Sequence, residues 1–227
     1  MLTNPIPSIP SIRELETTRL KLRQWRAGDA EIFAKMNADA DVMRYFAAPL
    51  ERAASDNMIA SISKQFARYG WGLWAIEVKA KPIECDEDRP PQAAEFIGFV
   101  GLSVPQRQFS FSPCVEIGWR LAKQFWGQGF ASEAAEEALR FGFAELALAE
   151  IVSFTCLQNA ASRRVMEKIG MCNIQQDFDH PALPSGHVLQ RHCLYVQSRE
   201  AWLASNFHCA SSASSQVRKA ATCGFSN

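Results

Sequence analysis

The stretch KQFWGQGFASEAAEEALRFGF (123–143) packs two glycines into one corner and runs straight into helix-forming residues. Gly127 and Gly129 allow backbone angles that other residues avoid. Ala131 and Ser132 open a helix on which Ala134, Ala138, Phe141 and Ala144 or Glu145 recur turn by turn. Such a corner turns several N–H groups outward, and the helix N-terminus adds about half a positive charge, which favours a phosphate or pyrophosphate. A tight strand-to-helix turn with no ligand accounts for the same residues. Two nucleotide motifs fit poorly: no Lys follows either glycine as a P-loop requires, and position 132 is Ser where a dinucleotide fingerprint has its third glycine.

Outward from the corner, VEIGWRL (115–121) is a strand entering it and EIVSFTCL (150–157) a buried strand following the helix. A helical crossover joins them, so they are expected to run parallel. Upstream, RLKLRQW (19–25) alternates with the period of a strand, and AEIFAKMNADADVMRYF (30–46) has helical spacing. SDNMIASISKQFARYG reads as a second helix, with Ser55 as N-cap and Gly70 closing it. GLWAIEVK (72–79) and EFIGFVGLSVP (95–105) form an antiparallel hairpin whose charged, Pro-rich tip (80–94) is an exposed loop. Downstream come a short helix, NAASRRVMEKIG (159–170), and a last strand, RHCLYVQ (191–197). The order predicts a mixed sheet in an α+β (α/β layered) fold. The chain divides into a Pro-rich leader (1–17), one domain (18–204) and a low-complexity tail (205–227) expected to be partly disordered.

Composition supports one sizeable core: 227 residues, 48% apolar, with 15 Phe and 6 Trp. With 24 basic and 24 acidic residues, nothing in the total charge predicts a nucleic-acid or membrane surface. The first twenty residues lack a basic n-region and carry three prolines, and no run of about 18 apolar residues occurs, so the chain is read as soluble, cytoplasmic and not exported. The seven cysteines are widely spaced without a Cys-x-x-Cys pair, and the His residues at 180, 187 and 192 lack a His-x-x-x-His spacing. Neither a disulfide framework nor a metal site is expected.

Four stretches together, TTRLKLRQWRAGDAEIFAKM, VEIGWRLAKQFWGQGFASEA, NAASRRVMEKIGM and LYVQSREAW, are similar in order and spacing to the GNAT superfamily of N-acetyltransferases. Within it the chain resembles the branch of the ribosomal-protein N-terminal acetyltransferases RimJ and RimL. The superfamily motif, Gln or Arg, two residues, Gly, one residue, then Gly or Ala, falls on Trp126-Gly127-Gln128-Gly129-Phe130-Ala131. Trp126 departs from the superfamily pattern but matches the branch. A second register, starting at Gln124, satisfies the pattern literally but ends too early relative to the helix.

The resemblance implies a mostly antiparallel sheet with a splay between its fourth and fifth long strands, where acetyl-CoA binds. The pantetheine arm would pair with backbone at Trp119, Arg120 and Leu121, and the pyrophosphate would rest on amides of Gly127, Gln128, Gly129, Phe130 and Ala131, beside Trp126. Asn159, a good N-cap by composition, would also contact the cofactor arm. Glu116 is implied as the base that takes the amine's proton; the alternative is an exposed strand carboxylate, or one paired with Arg120. Many relatives place a Tyr seven residues after the Asn to protonate the leaving thiolate. Here that position is Met166, which cannot donate, and Ser162 is the candidate left by the branch, alongside an ordinary helix serine. Tyr45, Phe46, Trp71 and Trp74 are acceptor-pocket candidates or core residues. The implied acceptor is a primary amine, a protein N-terminus first among the candidates; polyamines, amino acids, aminoglycosides and a non-catalytic acyl-CoA sensor are alternatives, and a homodimer is left open.

Overall fold

The structure, a computed structural model, describes residues 6–79 and 94–205. The hairpin tip and most of the predicted flexible tail lie outside the described residues. Strands β1 (Leu15–Glu16), β2 (Leu20–Arg23), β3 (Leu73–Val78), β4 (Glu95–Ser103), β5 (Glu116–Leu121), β6 (Glu150–Cys156), β7 (Cys172–Asn173), β8 (Phe178–Asp179) and β9 (Arg191–Ser198) share one sheet. Its order is β1-β2-β3-β4-β5-β6-β9-β7, with β8 also on β9, and every pairing is antiparallel except β5 with β6. Helix α4 (Phe130–Ala144) makes the parallel crossover. The layered fold and the crossover agree with the sequence reading.

Two helical expectations need correction. The helix read over 30–46 is broken into α1 (Asp29–Ala38) and α2 (Ala40–Met43), because Asp39 adopts an extended conformation and its side chain accepts from the N–H groups of Asp41 and Val42. An Asx side chain that caps a new helix start competes with continuation of the old one. Helix α3 (Arg52–Tyr69) begins three residues before Ser55, so Ser55 is not its N-cap. Instead Ser55 is buried, and its Oγ accepts from Asn37 Nδ2 at 2.9 Å, tying α3 to α1. Gly70 does close α3, in the left-handed region with φ 79°.

The sheet has an apolar layer on each face. Alternation puts Trp74, Val100 and Ile117 on the face covered by α4, and Ala75 and Phe99 on the face covered by α1 through Phe33 and Met36. Trp71 and Trp74, expected either in a pocket or in the core, are fully buried core residues. Their indole N–H groups donate to the carbonyls of Pro7 (2.9 Å) and Arg13 (2.7 Å), and Ile9 N–H donates to Tyr69 O (2.9 Å). Residues 7–13 are therefore tied to the domain: a buried indole needs an acceptor, and this Pro-containing backbone supplies it.

Candidate active site

The parallel pair β5 and β6 separates almost as soon as it forms. Val152 N–H donates to Val115 O at 2.9 Å, Glu116 is in register with Val152, and the Ser153 hydroxyl donates to Ile117 O at 2.9 Å. Among the described residues no further β5–β6 register pair follows, while β6 stays paired with β9 along its whole length. The β5 edge from Gly118 to Leu121 is thus left without a strand partner. Such an edge suits an extended, amide-bearing ligand, which would add as a strand.

The glycine corner stands beside this edge. Gly127 and Gly129 have φ of 75° and 80°, and Gly129 is the residue from which α4 starts. A side chain at Gly127 would meet nothing within 4 Å, so glycine is present there for its backbone angle and for bare approach to the peptide. Arg19 braces the corner: it donates to Gln128 O at 3.0 Å and to Glu133 Oε2 at 2.6 Å, and its guanidinium lies 4.5 Å from the Phe130 ring centroid. Gly127→Ala is expected to cost about 1–2 kcal/mol from left-handed strain, a fall in Tm of a few degrees. Because the new methyl group enters the open cradle, the KM for acetyl-CoA is expected to rise about tenfold; thermal unfolding and steady-state kinetics measure the two effects.

Edge and corner open into one cleft of about 1040 Å³. Of the residues singled out in the sequence, Glu116, Trp119, Arg120, Leu121, Trp126, Gly127, Gly129, Phe130, Ala131, Asn159 and Ser162 all line it, as do Tyr45 and Phe46. Gln128 does not line it; its carbonyl is held by Arg19. Glu116 is partly buried, and burial pushes its carboxyl up to about 7 while a hydrogen bond with Ser103 opposes the shift. It is not paired with Arg120, whose Nη1 donates instead to Asn37 Oδ1 at 2.7 Å. A carboxyl poised near 7 exchanges a proton readily at neutral pH.

Across the cleft, Asn159 caps α5 (Ala160–Lys168) by accepting from Ser162 N–H at 3.2 Å. That bond orients the amide so that Nδ2 donates to Ser162 Oγ and to Thr155 Oγ1, both at 3.0 Å. The Ser162 hydroxyl is left with its own proton to give. Met166 is buried, and its thioether has no proton to donate.

One wall was not legible in the sequence. Phe109, Phe154, His180 and His192 line the cleft, packed ring against ring with His180 and His192 centroids 4.7 Å apart. Burial, with smaller contributions from His192 and Arg107, drives the His180 pKa down to about 4, and burial lowers His192 also. Both imidazoles are neutral near pH 7 and act as aromatic surface. The four rings come from the β4–β5 connection, β6, the residue after β8, and β9, so no local spacing betrays them. Among the described residues no group of three or more His, Cys, Asp or Glu side chains is gathered to hold a metal, and no helix is long and apolar enough to cross a membrane.

Residues 19–172 match the acetyltransferase (GNAT) domain family. The chain belongs to the GNAT acetyltransferases. Among curated relatives of this GNAT domain is the FsC-acetyl coenzyme A-N(2)-transacetylase of Aspergillus fumigatus, 39% identical over 200 residues that cover 83% of this chain and 77% of the relative. The uncharacterised protein YkkB of Bacillus subtilis is 33% identical over 159 residues, covering 70% and 84%. A GNAT acetyltransferase from Bacillus anthracis superposes with a TM-score of 0.62 at 24% identity, covering 83% of this chain and 99% of that one. The spermidine N-acetyltransferase of Vibrio cholerae, solved with CoA and spermine, gives 0.60 at 19% identity and covers 82% and 99%. These structures share the GNAT fold. The chain is an acetyl-CoA-dependent acetyltransferase; none of these relatives is named for the RimJ and RimL branch, so the family is established at the coarser level.

Proposed function

We propose that this acetyltransferase moves an acetyl group from acetyl-CoA to the primary amine of a small molecule by direct attack, with Glu116 taking the amine's proton. The observation that carries the proposal is the position of Glu116, at the last paired residue before β5 and β6 part, on the cleft wall, with its carboxyl raised to about 7. An ammonium ion has no lone pair, so a base of this strength at this place makes the nucleophile.

Acetyl-CoA supplies the activated thioester. The open β5 edge at Trp119, Arg120 and Leu121 would hold the amide-bearing arm by strand addition. The outward amides of residues 127–131 and the α4 N-terminus would hold the pyrophosphate. Unpaired N–H groups on the same strand would polarise the thioester oxygen. Glu116 takes one proton from the ammonium ion before attack; as the C–N bond forms and the C–S bond breaks, Ser162 Oγ–H, freed by the Asn159 amide, gives its proton to the departing sulfur and regains one, through solvent, from the nitrogen of the new amide.

One relative's name assigns transfer to a numbered nitrogen, N(2), the nomenclature of a defined compound and not of a chain terminus, which favours a small-molecule acceptor. The resemblance of TTRLKLRQW and VEIGWRL to the RimJ and RimL branch favours a protein N-terminal α-amine as the second reading. The test is incubation with acetyl-CoA and a mixed panel of amino acids, polyamines, aminoglycosides and free-N-terminus peptides, read by mass spectrometry. Acetylated small amines are expected. Product confined to peptide N-termini would transfer the assignment to the second reading, and acetyl-CoA binding with no product from any amine would leave a sensor.

A further inference from the structure

We propose that the Arg120 side chain selects the acceptor by receiving a carboxylate, so that the preferred substrate carries a primary amine at one end and a free carboxylate at the other. This rests on reading the cleft as the site of acetyl transfer. The main chain of Arg120 belongs to the open β5 edge, but its side chain lies on the α1 face, the same face as Glu116.

Arg120 is 9% exposed, and among the described residues no carboxylate lies within ion-pairing distance of it. Nη1 donates to Asn37 Oδ1, whose own amide is anchored on Ser55, so the fork is held in one orientation. Nε is buried with no acceptor. The Phe46 ring lies 4.2 Å from the guanidinium and Phe99 5.5 Å, which lowers the local dielectric without supplying an anion. Desolvation brings the guanidinium pKa down to about 10, still cationic at neutral pH. A buried cation held by a neutral amide, the Met58 thioether 4.0 Å from Nη1 and aromatic rings is incomplete, because removing a charge from water is offset only by an opposite charge or a full set of hydrogen bonds. Other buried arginines need not be left so: Arg23, as well sequestered, is bonded to both Asp29 and Glu77.

Two further features fit a carboxylated amine. Glu116 and Arg120 are four residues apart on one strand face, about 13 Å between Cα atoms, and Gly118 between them leaves the floor open, since a side chain there would first meet Glu116 Oε1 at 3.9 Å. An extended molecule can therefore place its amine at Glu116 and its other end at Arg120. The lining is also basic on balance, with Arg44, Arg107, Arg120, Arg164 and Lys168 against Asp41 and Glu116, although the whole chain is neutral. Asp41 is already paired with Lys123. A second cationic end on the substrate would meet repulsion; a carboxylate would not.

The test uses the full-length protein with acetyl-CoA and matched acceptors: 6-aminohexanoate against hexylamine and 1,6-diaminohexane, and triglycine against its C-terminal amide. The readout is the ratio of kcat/KM for each carboxylated acceptor to its neutral partner, which a general loss of rate does not move. Wild type is expected to favour at least one carboxylated member about tenfold or more, and the pair that shows it distinguishes an ω-amino acid from a peptide end. Arg120→Met is expected to bring the ratio near one. Asn37→Asp keeps the packing and can still bond Ser55, but gives the guanidinium a resident counter-charge; it is expected to lower the ratio in the same way. Wild-type preference for the neutral or diamine partners, or a ratio unchanged in Asn37→Asp, would overturn the proposal while leaving acetyl transfer standing. Absence of product from every amine would overturn both.

Discussion

Glu116→Gln is expected to lower kcat/KM by about a hundredfold or more at pH 8, with the fold intact and acetyl-CoA still bound. In the unsubstituted enzyme, log kcat/KM is expected to fall with unit slope below about pH 7, because the base must be ionised and burial has raised its pKa to about 7. The variant should lose that limb. Stability moves in the opposite sense. The folded state holds the Glu116 proton more tightly than the unfolded chain, whose pKa stays near 4.5, so ionising the carboxyl costs stability as pH rises from about 4.5 to about 7. Glutamine removes that cost, so Tm at pH 8 should not drop. Activity that disappears together with Tm would point to a structural role, and a retained acid limb would assign the base elsewhere.

Gly98→Ala is expected to be among the most damaging single substitutions outside the cleft lining. Gly98 lies in β4 where the pairing with β3 shifts register between Ile76 and Glu77, and its φ is 140°. A methyl group there would come within 2.1 Å of Arg120 O and 2.8 Å of Leu121 Cα, both backbone atoms. Neither can swing aside as a side chain would, so β5 must move. A loss of roughly 3 kcal/mol or more is expected, from strain and lost ladder bonds, lowering Tm by roughly 6–12 °C. The displaced segment is the open edge itself, so the KM for acetyl-CoA should rise in whatever protein still folds. Thermal unfolding with kinetics at a permissive temperature separates the effects; an unchanged Tm would show that the strand has slack there.

These two residues differ in how visible they are before folding. Glu116 could be singled out because its strand runs into the Gly127–Gly129 corner and because four stretches in order resemble one superfamily. Gly98 reads only as a small residue in a hydrophobic run; its role depends on β5 crossing at 2.1 Å from where a Cβ would be, a neighbour 22 positions away. Arg120 shows the same limit. As part of VEIGWRL it contributes backbone to an edge, and nothing local reveals that its side chain is buried beside Asn37 and Phe46 without a carboxylate. The break at Asp39 and the misplaced start of α3 at Ser55 are errors of another kind. Local capping chemistry was present at both: Asp39 uses it to start a new helix, whereas Ser55 is buried and spends its hydroxyl on Asn37, leaving α3 without a side-chain cap.

By itself the sequence determined the order of elements, the parallel crossover through α4, the left-handed corner at Gly127 and Gly129, and the capping of α5 by Asn159. These follow from hydrophobic period, glycine's freedom and side-chain-to-backbone bonds within a few residues, all of which are local. The splay of β5 from β6 was already implied by the family resemblance, whereas the tertiary structure alone decided the burial of Trp71 and Trp74 under residues 7–13, the aromatic wall of Phe109, Phe154, His180 and His192, and the isolation of Arg120. Each is set by desolvation and by partners distant in sequence, and a group's surroundings exist only once the chain has closed around it.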